Sequence, residues 1–496
     1  MNSGKSRLRA LLLAALAAGG LLGGFFGGLL AAPAPALAQF TWFMSEEQEA
    51  RVGKEQHEKV IQEFGGAYND PNLARYVESV GRLLVATTEK ANQPFTFTIL
   101  DSPIVNAFAL PGGYVYVTRG LLALAGNEAE LAGVLAHEIG HVTARHAAQR
   151  YSQGVVAGLG LGLLNVLTGS QLAGQIGGLT AELVLKGYSR EQESEADGLG
   201  VRSMSRAGFD PHAMATFLTR LQANDQLQAQ ISGQPGAADQ FSLLQTHPRT
   251  ADRVEATIRE ASGIAVRDPI VAQDIYLGKI DGLMYGDNPD QGVIRGRRFL
   301  HPKLGFGFEV PEGFRLINSE NAVLALGPDS SHIEFTGAER PQGARMTTYL
   351  TSVWAKDVRL NDVEPLTVNG MEAATGQARL KTQEGAMDVR LVAIAYDAQS
   401  VYRFLFATQP AATNRLAEGL RKTTYSFRPL TRADVRTVQP LRVRVVTAGP
   451  GDTVESLARR QPFESFSAER VRVLNGLAPG AQPSPGQKLK LISGQS

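Results

Sequence analysis

His137-Glu138-Ile139-Gly140-His141 is the stretch on which the reading of this chain turns. Residues four apart on a helix differ by about 40° around its axis, so both imidazoles point to one side. Two imidazoles on one face can hold a zinc ion, and Glu138 beside them can take a proton from an attacking water. The chain has only 8 His in 496 residues, so the spacing does not follow from a His-rich composition. The flanking residues put the motif on a half-buried helix. Asn127 stands at an N-cap position, and Glu130 three residues later suits the partner position of a capping box. Leu131, Val134, Leu135 and Val142 form an apolar face.

Two His leave the coordination incomplete, because a catalytic zinc takes three protein ligands and keeps one position open. The metzincin arrangement needs Gly at 144 and His at 147. The chain has Ala144 and Ala147, which excludes that class. On a continuing helix His146 is rotated about 140° from the second motif His, His141, so it is expected to face elsewhere, as a surface or supporting group. A carboxylate from a later helix is then the expected third ligand. The best candidate segment is Ser189-Arg190-Glu191-Gln192-Glu193-Ser194-Glu195-Ala196-Asp197, in which Glu193 and Asp197 share a helical face. One carboxylate there can bind zinc while the other accepts the spare ring N–H of a zinc-bound His. The same spacing also suits an acidic, exposed helix end.

Taken together, HEIGH and SR-x-x-E-x-x-A-D resemble the zinc metallopeptidase family of CAAX prenyl proteases, HtpX and the periplasmic BepA, a gluzincin-type family. The resemblance implies Glu193, rather than Glu191 or Glu195, as the third ligand, with Asp197 behind the imidazoles. The segment from Asn106 to Val117 is similar to the family's strand pair. In such enzymes the strand nearest the zinc, here Asn106, Ala107, Phe108 and Ala109, holds a peptide by accepting it as a further strand. Read alone, the segment is two short strands turning at Pro111-Gly112-Gly113. Thr246-His247-Pro248, with Arg253 beyond, is similar to the family's HP-x-x-x-x-R segment. That likeness implies that His247 and Arg253 lie near the zinc, the His plugging the open position or facing the oxyanion. Read alone, it is a helix start. The resemblance spans about residues 45–265. The chain shows no 34-residue period, so the tetratricopeptide repeats that follow the protease in BepA are not expected here.

Length suits about two to four domains. A net charge of +1 gives no argument for nucleic acid. The chain has no Cys, so lipidation at Cys and disulfides are absent. Lys5, Arg7 and Arg9 precede an apolar run from Leu11 to Ala32, and Ala36-Leu37-Ala38 fits a cleavage site. This start reads as a signal peptide cleaved after Ala38, which places the mature chain in the periplasm.

Further along, residues 45–90 read as two helices, with a capping box at Ser45 and Gln48 and a second start at Asp70-Pro71. Residues 95–100 alternate like a strand. Residues 152–185, apolar and Gly-rich, read as two packed helices, or as a lid or membrane-surface loop. Residues 222–240 read as a mobile loop gating the zinc. Residues 299–430 alternate like an antiparallel sheet, with helices near 344–356 and 412–422, and carry no catalytic constellation. Gly451-Asp452-Thr453, Leu474-Asn475-Gly476-Leu477 and Pro485-Gly486-Gln487 resemble LysM, a βααβ module that binds peptidoglycan-type glycans, which the resemblance assigns to residues 443–492. From Arg428 onward 11 Lys and Arg face 5 Asp and Glu, an excess that favours anionic surfaces.

The expected architecture is therefore α+β and multidomain. A signal peptide at 1–38 precedes a mainly helical zincin-type domain with a small sheet at 39–268. A connector at 269–298, an antiparallel-sheet α+β domain at 299–430 and a LysM-like module at 431–496 follow. The expected function is an exported endopeptidase with one Zn2+ per chain, acting on unfolded or misassembled envelope proteins. The competing expectation is a zinc-stabilised chaperone or peptidoglycan-anchored binding protein with little turnover.

Overall fold

Ser45 and Asp70 set where the first two helices begin. In α1 (Glu46–Glu63) the Ser45 hydroxyl accepts from the Gln48 N–H while the Gln48 side chain accepts from the Ser45 N–H. In α2 (Pro71–Val85) the Asp70 carboxylate accepts from the N–H groups of Asn72 and Leu73. The computed structural model describes residues 44–158, 187–232 and 266–494 except 319–321 and 383–384, together with Leu243, His247, Ala256, Thr257 and Arg259. The expected signal peptide, most of the apolar 152–185 segment and Arg253 lie outside these residues.

The strands β1 (Thr96–Leu100), β2 (Ala107–Leu110) and β3 (Tyr114–Thr118) form a small sheet in the order β1-β3-β2. β1 runs parallel and β2 antiparallel to the central β3. Gly112 and Gly113 make the β2–β3 turn at φ 80 and 88, a region that glycine enters without a Cβ penalty. β2 is an edge strand, yet every side chain on it is buried.

Arg119–Leu124 (α3) leads into Glu128–Thr143 (α4), the helix of the HExxH motif. The sequence suggests a half-buried helix, but every residue from Ala129 to Val142 is buried, because β2, α2 and two later helices pack around it. Asn127 Oδ1 accepts from the Glu130 N–H at 2.8 Å. Glu130 does not return the bond as a capping box requires. Its carboxylate accepts from the Gly126 N–H and pairs with Arg220 instead. α4 ends at Thr143, and Arg145 takes φ 62 before α5 (His146–Gly158) starts. The Arg145 Nε donates to Glu49 Oε1 of α1 at 2.6 Å, which holds this turn.

The next helix, α6 (Arg190–Arg206), starts on a reciprocal Ser189–Gln192 cap. It lies so close to α4 that a Cβ on Gly140 would come 2.9 Å from the Ala196 carbonyl oxygen. α7 (His212–Ser232) continues through residues 222–232, where a mobile loop is expected. The Gln, Ala and Leu of that stretch are strong helix formers, and Leu221 and Leu227 are buried on the helix.

The Gly-rich connector is part of the core. Tyr276, Leu277 and Ile280 of α8 (Gln273–Ile280) pack into the same apolar cluster as α2 and α4. Fully buried Arg119 pairs with Asp101 and donates to the carbonyls of Met284, in β4 (Met284–Tyr285), and Gly286, just after it. Beyond it, β5 (Val293–Arg295), β6 (Arg298–His301), β7 (Phe306–Glu309) and β15 (Arg428–Pro429) form one antiparallel sheet, in the order β15-β7-β6-β5. A seven-stranded sheet has the order β11-β12-β13-β14-β10-β9-β8, built from β8 (Arg315–Asn318), β9 (Ala322–Leu326), β10 (His332–Glu339), β11 (Asn361–Val368), β12 (Met371–Thr382), β13 (Gly385–Ala395) and β14 (Ser400–Thr408). Strand alternation splits its side chains. Val392, Ile394, Phe404 and Phe406 pack with Leu420 of α10 (Pro410–Ser426). Leu391, Ala393 and Ala407 pack with α9 (Met346–Tyr349) and the π-turn after it.

Strand β16 (Leu441–Thr447), helices α11 (Val454–Ala458) and α12 (Ser467–Asn475) and strand β17 (Lys488–Gly494) complete the described chain, with β16 and β17 antiparallel and β4 beside β16. Along β17, Leu489 and Leu491 pack on the unit's own helices, while Ile492 joins the apolar cluster of α4. Lys490 is 1% exposed, and its Nζ donates to the carbonyls of Ala123, Leu124 and Ala125 at 2.6–2.8 Å. Among the described residues no helix is long and apolar enough to cross a membrane.

Candidate metal centre

The buried helix pair α4 and α6 brings the donors together. His137 and His141 come from α4, and Glu193 from α6. His247 is anchored by its N–H, which donates to the Leu243 carbonyl at 2.9 Å. The Leu243 N–H in turn donates to the Val105 carbonyl at 3.1 Å, just ahead of β2. All four side chains are buried, and one donor atom from each lies within 4.8 Å of the others.

The spacings suit a four-coordinate ion. His137 Nε2 lies 3.0 Å from His141 Nε2 and 3.1 Å from His247 Nδ1. Glu193 Oε1 lies 3.4 Å from His141 Nε2 and 2.8 Å from His247 Nδ1. Tetrahedral zinc with bonds of about 2.0–2.1 Å holds its ligand atoms about 3.3 Å apart, inside the range of these four distances. Three imidazoles and one carboxylate are also ligand types that zinc accepts. The cluster fits one Zn2+.

The electrostatics agree with that chemistry. Burial alone pushes the Glu193 carboxyl up. The surrounding imidazoles, His247 foremost, outweigh it and hold Glu193 well below the usual carboxylate range. Burial holds the His141 imidazole well below its usual pKa, so the ring stays neutral with a lone pair available. His137 Nδ1–H donates to Asp197 Oδ1 at 2.8 Å, leaving Nε2 as the donor facing the cluster. Fully buried Glu138 lies beside them, with Oε1 3.3 Å from His247 Nε2. A half-open pocket lined by Val134, Met214, Phe217, Leu218 and Leu243 adjoins His137 and Glu138.

Asn106 is fully buried, its side-chain oxygen accepting from the Ala107 N–H at 2.8 Å. Ala107, Phe108 and Ala109 lie on edge strand β2, whose non-β3 side pairs with no other strand among the described residues. His146 does not face away. It is 2% exposed and its Nδ1 lies 3.0 Å from His141 Nδ1, because the turn at Arg145 ends the helix on which a 140° offset rests. Tyr188, which sequence reasoning passed over, stacks on His141 with centroids 3.8 Å apart, and the Arg150 guanidinium lies 4.0 Å from its ring centroid. No spacing rule flags such a stack. Its only sequence signal is a lone aromatic one residue ahead of the Ser189 cap.

Residues 71–261 match the model of peptidase family M48. This segment is an M48 zinc metallopeptidase domain. The putative beta-barrel assembly-enhancing protease of Vibrio cholerae is 36% identical over 205 residues, covering 38% of this chain and 38% of that protein. The beta-barrel assembly-enhancing protease of Escherichia coli K12 is 32% identical over 235 residues, covering 45% and 46%. The mitochondrial metalloendopeptidase OMA1 of Schizosaccharomyces pombe is 31% identical over 218 residues, covering 42% and 60%. The chain thus spans less than half the length of the two bacterial relatives. The family match together with the buried donor cluster makes the M48 domain a zinc-dependent metalloendopeptidase.

Proposed function

We propose that this chain is an exported zinc endopeptidase that hydrolyses unfolded or misassembled envelope proteins in the periplasm. The observation that carries the reading is the buried His137, His141, Glu193 and His247 cluster, with Glu138 beside it, inside an M48 domain. Relatives named as beta-barrel assembly-enhancing proteases and the signal-like start of the chain support the envelope setting. His137, His141 and Glu193 would hold the ion, and Asp197 keeps His137 in the required tautomer. Bound zinc supplies a Lewis acid for the scissile carbonyl and acidifies the attacking water. Glu138 takes that water's proton and passes it to the leaving amine. Arg253 or His247 steadies the oxyanion. The peptide lies along β2 from Asn106 through Ala109 as an added strand. Such pairing reads backbone more than side chains, which suits unfolded substrates.

His247 favours a second role. Its Nδ1 lies 3.1 Å from His137 Nε2 and 2.8 Å from Glu193 Oε1, close enough to take the open position of the ion. In that position it keeps the enzyme latent until substrate displaces it. Glu138→Gln is expected to retain zinc and lose at least about 100-fold in casein cleavage. Unchanged cleavage would sink the assignment of Glu138 as base. The competing reading is a zinc-stabilised chaperone or glycan-anchored binder with little turnover, favoured by the same His247 geometry. A binder would complement a deletion strain as the Glu138→Gln form, and a protease would not. For residues 443–492, the strand–helix–helix–strand order supports a LysM-like glycan role. Retention of the full chain on purified peptidoglycan, released by chito-oligosaccharide, tests it, and binding no better than to bare resin removes it. Contact of residues 152–185 with a membrane surface is tested by flotation with anionic vesicles.

A further inference from the structure

On the side of His141 away from the donor cluster, two more residues form a path to the surface. His141 Nδ1 lies 3.0 Å from His146 Nδ1, and His146 Nε2 lies 3.2 Å from Glu195 Oε2. His146 is 2% exposed, whereas the Glu195 side chain is 60% exposed. Only one proton fits between two nitrogens that face each other. His141 Nε2 points into the cluster, 3.0 Å from His137 Nε2, and needs its lone pair for a metal. The neutral ring therefore carries its proton on Nδ1 and donates it to His146 Nδ1. This leaves the His146 proton on Nε2, where it is donated to Glu195. The hydrogen bonds run one way, from metal ligand to surface carboxylate, through a buried imidazole.

We propose that His146, backed by Glu195, is the positioning residue for His141, fixing its tautomer and ring orientation and so raising zinc affinity. The two imidazole ligands then have unequal support. His137 has a carboxylate directly, from Asp197, whereas His141 has one through a second His. Tyr188 covers the His141 ring face but stacks nearly parallel to it, at 15°, so it offers Nδ1 no acceptor. The turn that aims His146 is held from α1, by Glu49 on Arg145. This inference rests on the zinc site and not on the proposed proteolysis.

The test is zinc affinity of the full chain, by competition with a chelator, with circular dichroism as the check on folding. His146→Ala is expected to weaken zinc binding by about 10–100-fold, and Glu195→Gln by a smaller factor. His146→Asn, whose side-chain oxygen takes the place of Nδ1, recovers part of the loss. A folded His146→Ala chain that binds zinc within about twofold of the unaltered chain overturns the proposal. Should His146→Ala not fold, the nitrogen NMR shifts of the zinc-loaded unaltered chain decide. His146 protonated on Nε2 supports the proposal, and His146 protonated on Nδ1 overturns it. A chain that behaves as expected here but cleaves nothing refutes the protease reading and leaves this inference standing.

Discussion

Glu63, the last residue of α1, has one carboxylate oxygen buried without a hydrogen-bond partner. Burial pushes its pKa up to about 7. The unfolded chain ionises this group near 4.5, while the folded chain keeps the proton until about 7. Its stabilising contribution is therefore complete below pH 4.5 and is lost as pH rises through 7. Glu63→Gln is expected to remove about 1–2 kcal/mol of the fall in stability between pH 5 and pH 8, discounted for partial exposure. Urea unfolding at the two pH values measures it, and an unchanged fall shows that Glu63 titrates normally. At this scale the sequence was readable where a period applied. His137 and His141 share a face because the helix runs unbroken between them. His146 misled because Arg145, at φ 62, breaks that period. Tyr188 went unseen because stacking on His141 has no spacing signature.

Among elements, the spacing of α4 and α6 governs the centre, since two donors come from one helix and one from the other. Gly140 sets that spacing. A methyl group there would meet the Ala196 carbonyl oxygen at 2.9 Å, with backbone on both sides and no flexible side chain to yield. Gly140→Ala is expected to cost about 1–3 kcal/mol, as overpacking does, and to weaken zinc binding by moving Glu193 from the imidazoles. Thermal unfolding and chelator competition measure the two effects. A loss of stability with normal zinc affinity would mean that the helices separate without disturbing the donors. Helix starts were legible at Ser45, Asp70 and Asn127 because each leaves a side-chain signature, whereas the Ser189 cap was not singled out. The β1-β3-β2 order was not, because pairing across a parallel crossover depends on what else covers the sheet. The end of α7 was misread because its Gln and Ala suit a helix as well as a loop.

For the whole molecule, the decisive contact is between the first and last parts of the described chain. The ammonium of Lys490 spends all three N–H groups on the carbonyls that end α3. Beside it Arg220 joins Glu130, in the first turn of α4, to the Leu474 carbonyl of α12. Lys490→Met leaves three buried carbonyls short of a donor and is expected to destabilise the chain by about 2–4 kcal/mol. Removal of residues 440–496 is expected to lower the melting temperature of the M48 domain rather than release it intact. Calorimetry distinguishes the outcomes, since an unshifted transition in the truncated chain would show that the contact contributes little. Tests of glycan binding therefore use the full chain. Nothing in the sequence announced this docking, because its surface is formed by residues at least 254 positions apart.

That separation also has a meaning in time. Lys490 lies 365 residues beyond Ala125, whose carbonyl it binds. At about 5–20 residues per second, a ribosome needs roughly 20–70 s to go from one to the other. Throughout that interval the newborn metal helix exists without its brace. A chain cut short before Lys490 never acquires that brace.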